Sequence, residues 1–133
     1  MSSNFSIQYR VYYEDTDAGG VVYYANYLKF FERARTEFLR ALNISQSDLA
    51  TKENLLFVVR RCEIDYLTAA RLDDLISVDV EITEIRGASI SMYQEIKKSI
   101  QLLSRVNVEI VCVAADSFRP KKIPENIKNL FNV

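Results

Sequence analysis

The order of patterns along this chain predicts an α+β domain, a curved antiparallel sheet of about five strands wrapped around one long helix. Three observations carry that prediction. Residues 5–13 alternate apolar and polar side chains, and residues 27–42 place their apolar side chains at helical spacing. Residues 55–118 then read as successive strands broken by turn signals. A chain of 133 residues holds this in a single domain, 1–133.

In the first strand Phe5, Ile7, Tyr9, Val11 and Tyr13 share one face, against Ser6, Gln8, Arg10 and Tyr12. An acidic, glycine-containing loop follows. In the helix, positions 27, 30, 31, 34, 38, 41 and 42 form a broad apolar stripe. Lys29, Glu32, Arg33, Arg35, Glu37 and Arg40 fall on its opposite face. So wide a stripe calls for a whole sheet as its partner. Residues 43–54 are polar and read as a loop with a short helical turn, capped by Ser45 or Ser47.

Strands are expected over 55–67, 75–86, 89–103 and 104–118. In the second of these Ile76, Val78, Val80 and Ile82 alternate cleanly with Ser77, Asp79, Glu81 and Thr83. Gly87-Ala88 marks the hairpin after it. Residues 108–115 are apolar on both faces, and a short helix follows, with Pro124 at its first position and Phe131 at its end. Strands this long must curl. The apolar surface of 75–86 and 108–115 exceeds what one helix covers, so the chain is expected to self-associate.

Composition closes several routes. The chain has no histidine, so neither a Ser-His-Asp nor a Cys-His machine can be built from it, nor a His-ligated zinc site. A net charge of −1 gives no general attraction to nucleic acid or to an anionic membrane. No apolar run reaches the roughly 18 residues of a membrane span. The N-terminal Met1-Ser2-Ser3-Asn4 lacks the form of a signal peptide. Cys62 and Cys112, each in an apolar strand-like run, are expected as buried free thiols in a reducing cytoplasm.

The richest stretch is Glu14-Asp15-Thr16-Asp17-Ala18-Gly19-Gly20-Val21-Val22-Tyr23-Tyr24-Ala25-Asn26-Tyr27. It sets carboxylates beside a helix N-terminus, where unpaired N–H groups and the dipole favour developing negative charge. Asp15 and Asp17 have three readings: solvated acids satisfying local amides, a metal loop, or carboxylate catalysis. The calcium-loop alignment fails, because Gly19 offers no side-chain oxygen and Asn26 falls where a bidentate Glu is needed. The other two stay open. Tyr23, Tyr24 and Tyr27 suit packing or the lining of an acyl pocket equally well.

The segment from Tyr12 to Tyr27, followed by Phe31-Glu32-Arg33-Ala34-Arg35 and later by Ile64-Asp65-Tyr66 and Leu72-Asp73-Asp74-Leu75, closely resembles the 4-hydroxybenzoyl-CoA thioesterase family of hotdog-fold proteins. Within that family it is most similar to the YbgC-like bacterial acyl-CoA thioesterases associated with the Tol–Pal envelope system. The resemblance implies a hydrolase of acyl-CoA, or of acyl groups on acyl carrier protein, that needs no cofactor or metal. It puts the catalytic carboxylate on Asp17 and the carbonyl-polarising backbone amide on Tyr24, where the closer group usually has His. A role for the backbone N–H tolerates that exchange. Gly20 lets substrate approach the backbone, and of a basic cluster that holds nucleotide phosphates in one branch only Arg86 remains. The resemblance also implies an active site between two subunits of a dimer or tetramer. The alternative is a non-catalytic hotdog module that holds an acyl chain or acyl carrier protein; such a binder has no use for Asp17.

Overall fold

The computed structural model describes residues 4–131; residues 1–3, on which the expectation about a leader rested, lie outside the described residues. The elements are β1 (Asn4–Arg10), α1 (Asn26–Ala41), α2 (Gln46–Glu53), β2 (Leu55–Tyr66), β3 (Leu75–Arg86), β4 (Ser89–Lys98), β5 (Gln101–Ala114) and α3 (Glu125–Leu130). The strands form one sheet in the order β1-β3-β4-β5-β2, every pair antiparallel. This is the α+β architecture that the sequence predicts.

The pleat divides the sheet into two faces. Ile76, Val78, Val80 and Ile82 of β3, with Ile90, Met92 and Ile96 of β4 and Val106, Val108, Ile110 and Cys112 of β5, are buried in one cluster with α1. From the helix come Tyr27, Phe30, Phe31, Ala34, Phe38 and Leu39. Leu39, not the exposed Ala41, completes the buried stripe. The opposite face carries ion pairs such as Lys97 with Asp79 and Arg105 with Asp65, and toward the end of β5 the buried Val111 and Val113. Phe38 also stacks on Phe131, which ties the chain's end to the helix.

Several boundaries differ from expectation. β1 ends at Arg10, and Tyr13–Asp15 is a single 3₁₀ turn, because the Tyr12 N–H is captured by the Asp15 carboxylate at 2.8 Å. The polar stretch after α1 is a helix of eight residues; Ser45 caps it by accepting from the Asp48 N–H. The expected strand over 89–103 breaks at Ser99, whose φ of 54° turns the chain before β5 begins at Gln101. Pro124 is the cap of α3 and not its first residue. Cys112 is buried as expected, but Cys62 is exposed: it lies on the helix-facing side of β2 beyond the cover of α1.

Arg35 departs from the solvent-facing set assigned to it. Burial pulls its guanidinium pKa below the ordinary value, and it donates to Gln94 Oε1 at 2.9 Å. Gln94, fully buried on β4, donates in turn to the Phe31 carbonyl at 3.0 Å. One amide thus locks α1 to the middle of the sheet. Gln94→Leu is expected to lower stability by about 1–3 kcal/mol, because it deprives the buried Arg35 guanidinium of its acceptor and unties the Phe31 carbonyl from the sheet. An unchanged urea midpoint would rule the lock out.

The uncovered apolar surface also lies elsewhere than expected. Ile76, Val78, Val80 and Ile82 of β3 and the apolar residues of 108–113 are buried within the single chain, β3 under α1. The return segment 119–121 runs beside β5 past the start of β4: Ala114 N–H donates to the Arg119 carbonyl and Lys121 N–H to the Cys112 carbonyl. What stays uncovered is the helix-facing side of the edge strand β2, with Val59 51% and Tyr66 45% exposed.

Candidate active site

The loop between β1 and α1 folds as a small hairpin. Thr16 bridges Val22, and Asp17 N–H donates to the Val21 carbonyl at 3.0 Å. Its turn closes with Gly20 N–H on the Asp17 carbonyl at 3.1 Å. Gly20 has a φ of +77°, so a side chain there would be strained although nothing lies close. At Gly19 a Cβ would come within 3.3 Å of the Asp17 carboxylate.

This hairpin is moored to residues distant in sequence. Val22 N–H donates to the Ala70 carbonyl at 2.8 Å and Leu72 N–H to the Gly20 carbonyl at 3.2 Å. Ala70 N–H donates to the Tyr27 hydroxyl at 3.0 Å, and Val11 exchanges bonds with Asp73 and Asp74. The β2–β3 connection is therefore the floor on which the acidic loop rests.

The two acids take different roles. Asp15 is 8% exposed and structural: its carboxylate accepts the Tyr12 N–H, and its carbonyl accepts from Tyr23 N–H at 3.1 Å and Asn26 Nδ2 at 2.9 Å. That carbonyl ties the hairpin to the start of α1. Asp17 is exposed at the turn, and its Oδ1 accepts the Gly19 N–H at 2.8 Å. Both acids satisfy local amides, as the first reading has it; Asp15 departs from it only in being buried, whereas Asp17 fits it and also presents its carboxylate to solvent.

Tyr24 stands just beyond the return arm, where α1 begins. No side chain caps the helix at Ala25. Among the described residues the N–H groups of Tyr24 and Ala25 have no acceptor, whereas Tyr23 N–H is taken by Asp15 and Asn26 N–H by the Tyr23 carbonyl. Unpaired donors at the positive end of a 16-residue helix form a place for an oxyanion. An aromatic cluster surrounds them. The Tyr23 and Tyr24 rings lie 4.9 Å apart, and Tyr66 meets Tyr24 edge-on at 6.2 Å and Tyr27 at 5.2 Å.

Asp17, Gly20 and Tyr24 thus belong to one small unit. Arg86 does not join them within one chain. It ends β3, whereas the loop rests beside the residues that begin it, about 36 Å away at the usual rise per strand residue. Arg86 is exposed and paired with Glu84. Among the described residues no group of His, Cys, Asp or Glu is arranged to hold a metal, and no helix is long and apolar enough to cross a membrane.

The model of the thioesterase-like superfamily matches residues 11–131, nearly the whole chain. The protein belongs to that superfamily. Over 132 residues it is 47% identical to the acyl-CoA thioesterase YbgC of Haemophilus influenzae, covering 99% of this chain and 97% of that one. The solved "Probable Thioesterase" of Bartonella henselae is 38% identical and superposes with a TM-score of 0.87, covering 92% of this chain and all of that one. A 1,4-dihydroxy-2-naphthoyl-CoA thioesterase from Synechocystis has a TM-score of 0.90 at 23% identity, covering 98% and 96%, and shares the fold.

Two contributors escape sequence reading. Asn26 and the Asp15 carbonyl brace the helix start, a contact between a side chain and a backbone oxygen eleven residues away. Tyr66 reaches it from another strand. The only sequence signal for Tyr66 is its place in the Ile64-Asp65-Tyr66 piece.

Proposed function

We propose that this protein hydrolyses acyl-CoA thioesters, with Asp17 as nucleophile or general base and the Tyr24 N–H as oxyanion donor. The observation that carries the reading is the acceptor-free N–H of Tyr24 at the start of α1, beside a loop that holds the Asp17 carboxylate at its exposed turn. The thioester carbonyl docks on the helix end, and the amide stabilises the charge that develops on its oxygen. One such donor typically contributes about 3–4 kcal/mol to the transition state. Asp17 either attacks the carbonyl carbon and expels the thiolate, giving a mixed anhydride that water then hydrolyses to restore the carboxylate, or takes a proton from a water that attacks the carbonyl carbon and expels the thiolate. The thiolate is protonated in either case. Both routes end in carboxylic acid and thiol. Thiol release from a panel of acyl-CoA chain lengths tests the reading; no release from any of them would refute it.

The active unit in this reading is at least a dimer. The exposed, helix-facing side of β2 supports it, since covering Val59, Cys62 and Tyr66 brings a second copy beside the exposed Tyr24. Arg86 reaches nucleotide phosphates only in a site shared between copies. A tetramer, an acyl carrier protein as alternative acyl donor, and a cytoplasmic place beside the Tol–Pal system extend the reading through the resemblance of the motif; free Cys62 and Cys112 suit a reducing compartment. Light scattering at micromolar concentration is expected to give at least twice the 15.4 kDa of one chain. A monomer at that concentration would count against a shared site.

A further inference from the structure

The two acceptor-free N–H groups are not braced alike. Behind the Tyr24 N–H stands the Tyr23 carbonyl, which accepts the Asn26 N–H at 2.8 Å. Behind the Ala25 N–H stands the Tyr24 carbonyl, whose helical partner, the Tyr27 N–H, is distant at 3.4 Å. The Tyr66 hydroxyl makes up the difference by donating to the Tyr24 carbonyl at 3.1 Å. Tyr66 is the last residue of β2, and its ring is held edge-on by Tyr27 and Tyr24. A donor on a peptide's carbonyl draws charge through the amide and strengthens its N–H as a donor in turn.

We infer that Tyr66 is a positioning residue for thioester hydrolysis: its hydroxyl fixes and polarises the Tyr24–Ala25 peptide, so that the Ala25 N–H joins the Tyr24 N–H as a second oxyanion donor. The inference rests on the thioesterase reading above. Ala25 is the N-cap of α1 and Tyr24 the residue before it, so both N–H groups belong to the entry of the helix, where unpaired donors gather. Tyr66 touches no reacting atom, so its effect falls on the transition state and not on substrate binding.

Tyr66→Phe keeps the ring and removes only the hydroxyl. Loss of a direct oxyanion donor costs 10²–10³ in kcat, and an indirect brace less, so kcat is expected to fall about tenfold with KM within about twofold. The amide resonance of Ala25 is expected to move upfield in the variant, which reports the lost polarisation without any assay of activity. Replacing Tyr66 by 3-fluorotyrosine retains the packing and makes the hydroxyl a stronger donor. At neutral pH it is expected to raise kcat, and it decides the matter if Tyr66→Phe loses thermal stability. An unchanged kcat in both variants, or a raised KM at constant kcat, would overturn the positioning role alone. Absence of thiol release by the wild-type protein would overturn the thioesterase reading and this role with it.

Discussion

Asp17→Asn is expected to lower the turnover number at least about 100-fold while leaving the fold intact. The chain has no histidine to share the work, and Asp17 is the exposed carboxylate at the turn of the loop beside the helix end. Among the described residues its side chain accepts one bond, from the Gly19 N–H, and the carbonyl oxygen of Asn can accept the same bond. The loss is therefore one of chemistry and not of structure. Thiol release and far-UV circular dichroism measured side by side separate the two. Activity within a few-fold of wild type would remove Asp17 from the mechanism. Asp15→Asn is expected to do much less, since Asp15 acts as an acceptor for the Tyr12 N–H. Equal losses in the two variants would point to a shared structural role.

Tyr24→Pro is expected to abolish turnover, and Tyr24→Phe to keep most of it. The contrast follows from where the hydrogen bonds go. The Tyr24 N–H bonds nothing within the described residues, so Pro deletes a donor that the fold does not use. Pro is also at home where a helix begins. Phe keeps that N–H and the ring that packs against Tyr23 and Tyr66. Kinetics with circular dichroism as a control check both. A large loss in Tyr24→Phe would give the hydroxyl a direct role and sink the backbone account.

The period-2 alternation of β3 and the helical spacing of α1 made the fold legible, because a half-buried strand and a stripe packed on a sheet each leave a period in the sequence. Arg35 escapes the same pattern for a related reason. A charged residue on a helix reads as solvent-facing, and its buried partner Gln94 lies 59 residues further on, beyond any local window. Asp17 and Tyr24 could be singled out through the motif that contains them. The division of labour between Asp15 and Asp17 could not, since both are acids in one loop and differ only in what the folded backbone offers them. Cys62 shows the same limit: its place in a strand-like run predicts burial, but α1 does not cover that part of the edge strand.

The mooring of the acidic hairpin to residues 70–74 bears on entropy. Each ordered backbone residue gives up about 1–2 kcal/mol of conformational freedom, and a free loop would give it up when substrate arrives. Here the bonds from Val22 to Ala70, Leu72 to Gly20 and Asp73 to Val11 form as the sheet closes. The freedom of the loop is lost at folding, offset by the whole domain, and little of it remains to weaken substrate binding. In the proposed reaction the carboxylate is then ordered before the thioester reaches it, and more of the binding energy is left for the transition state.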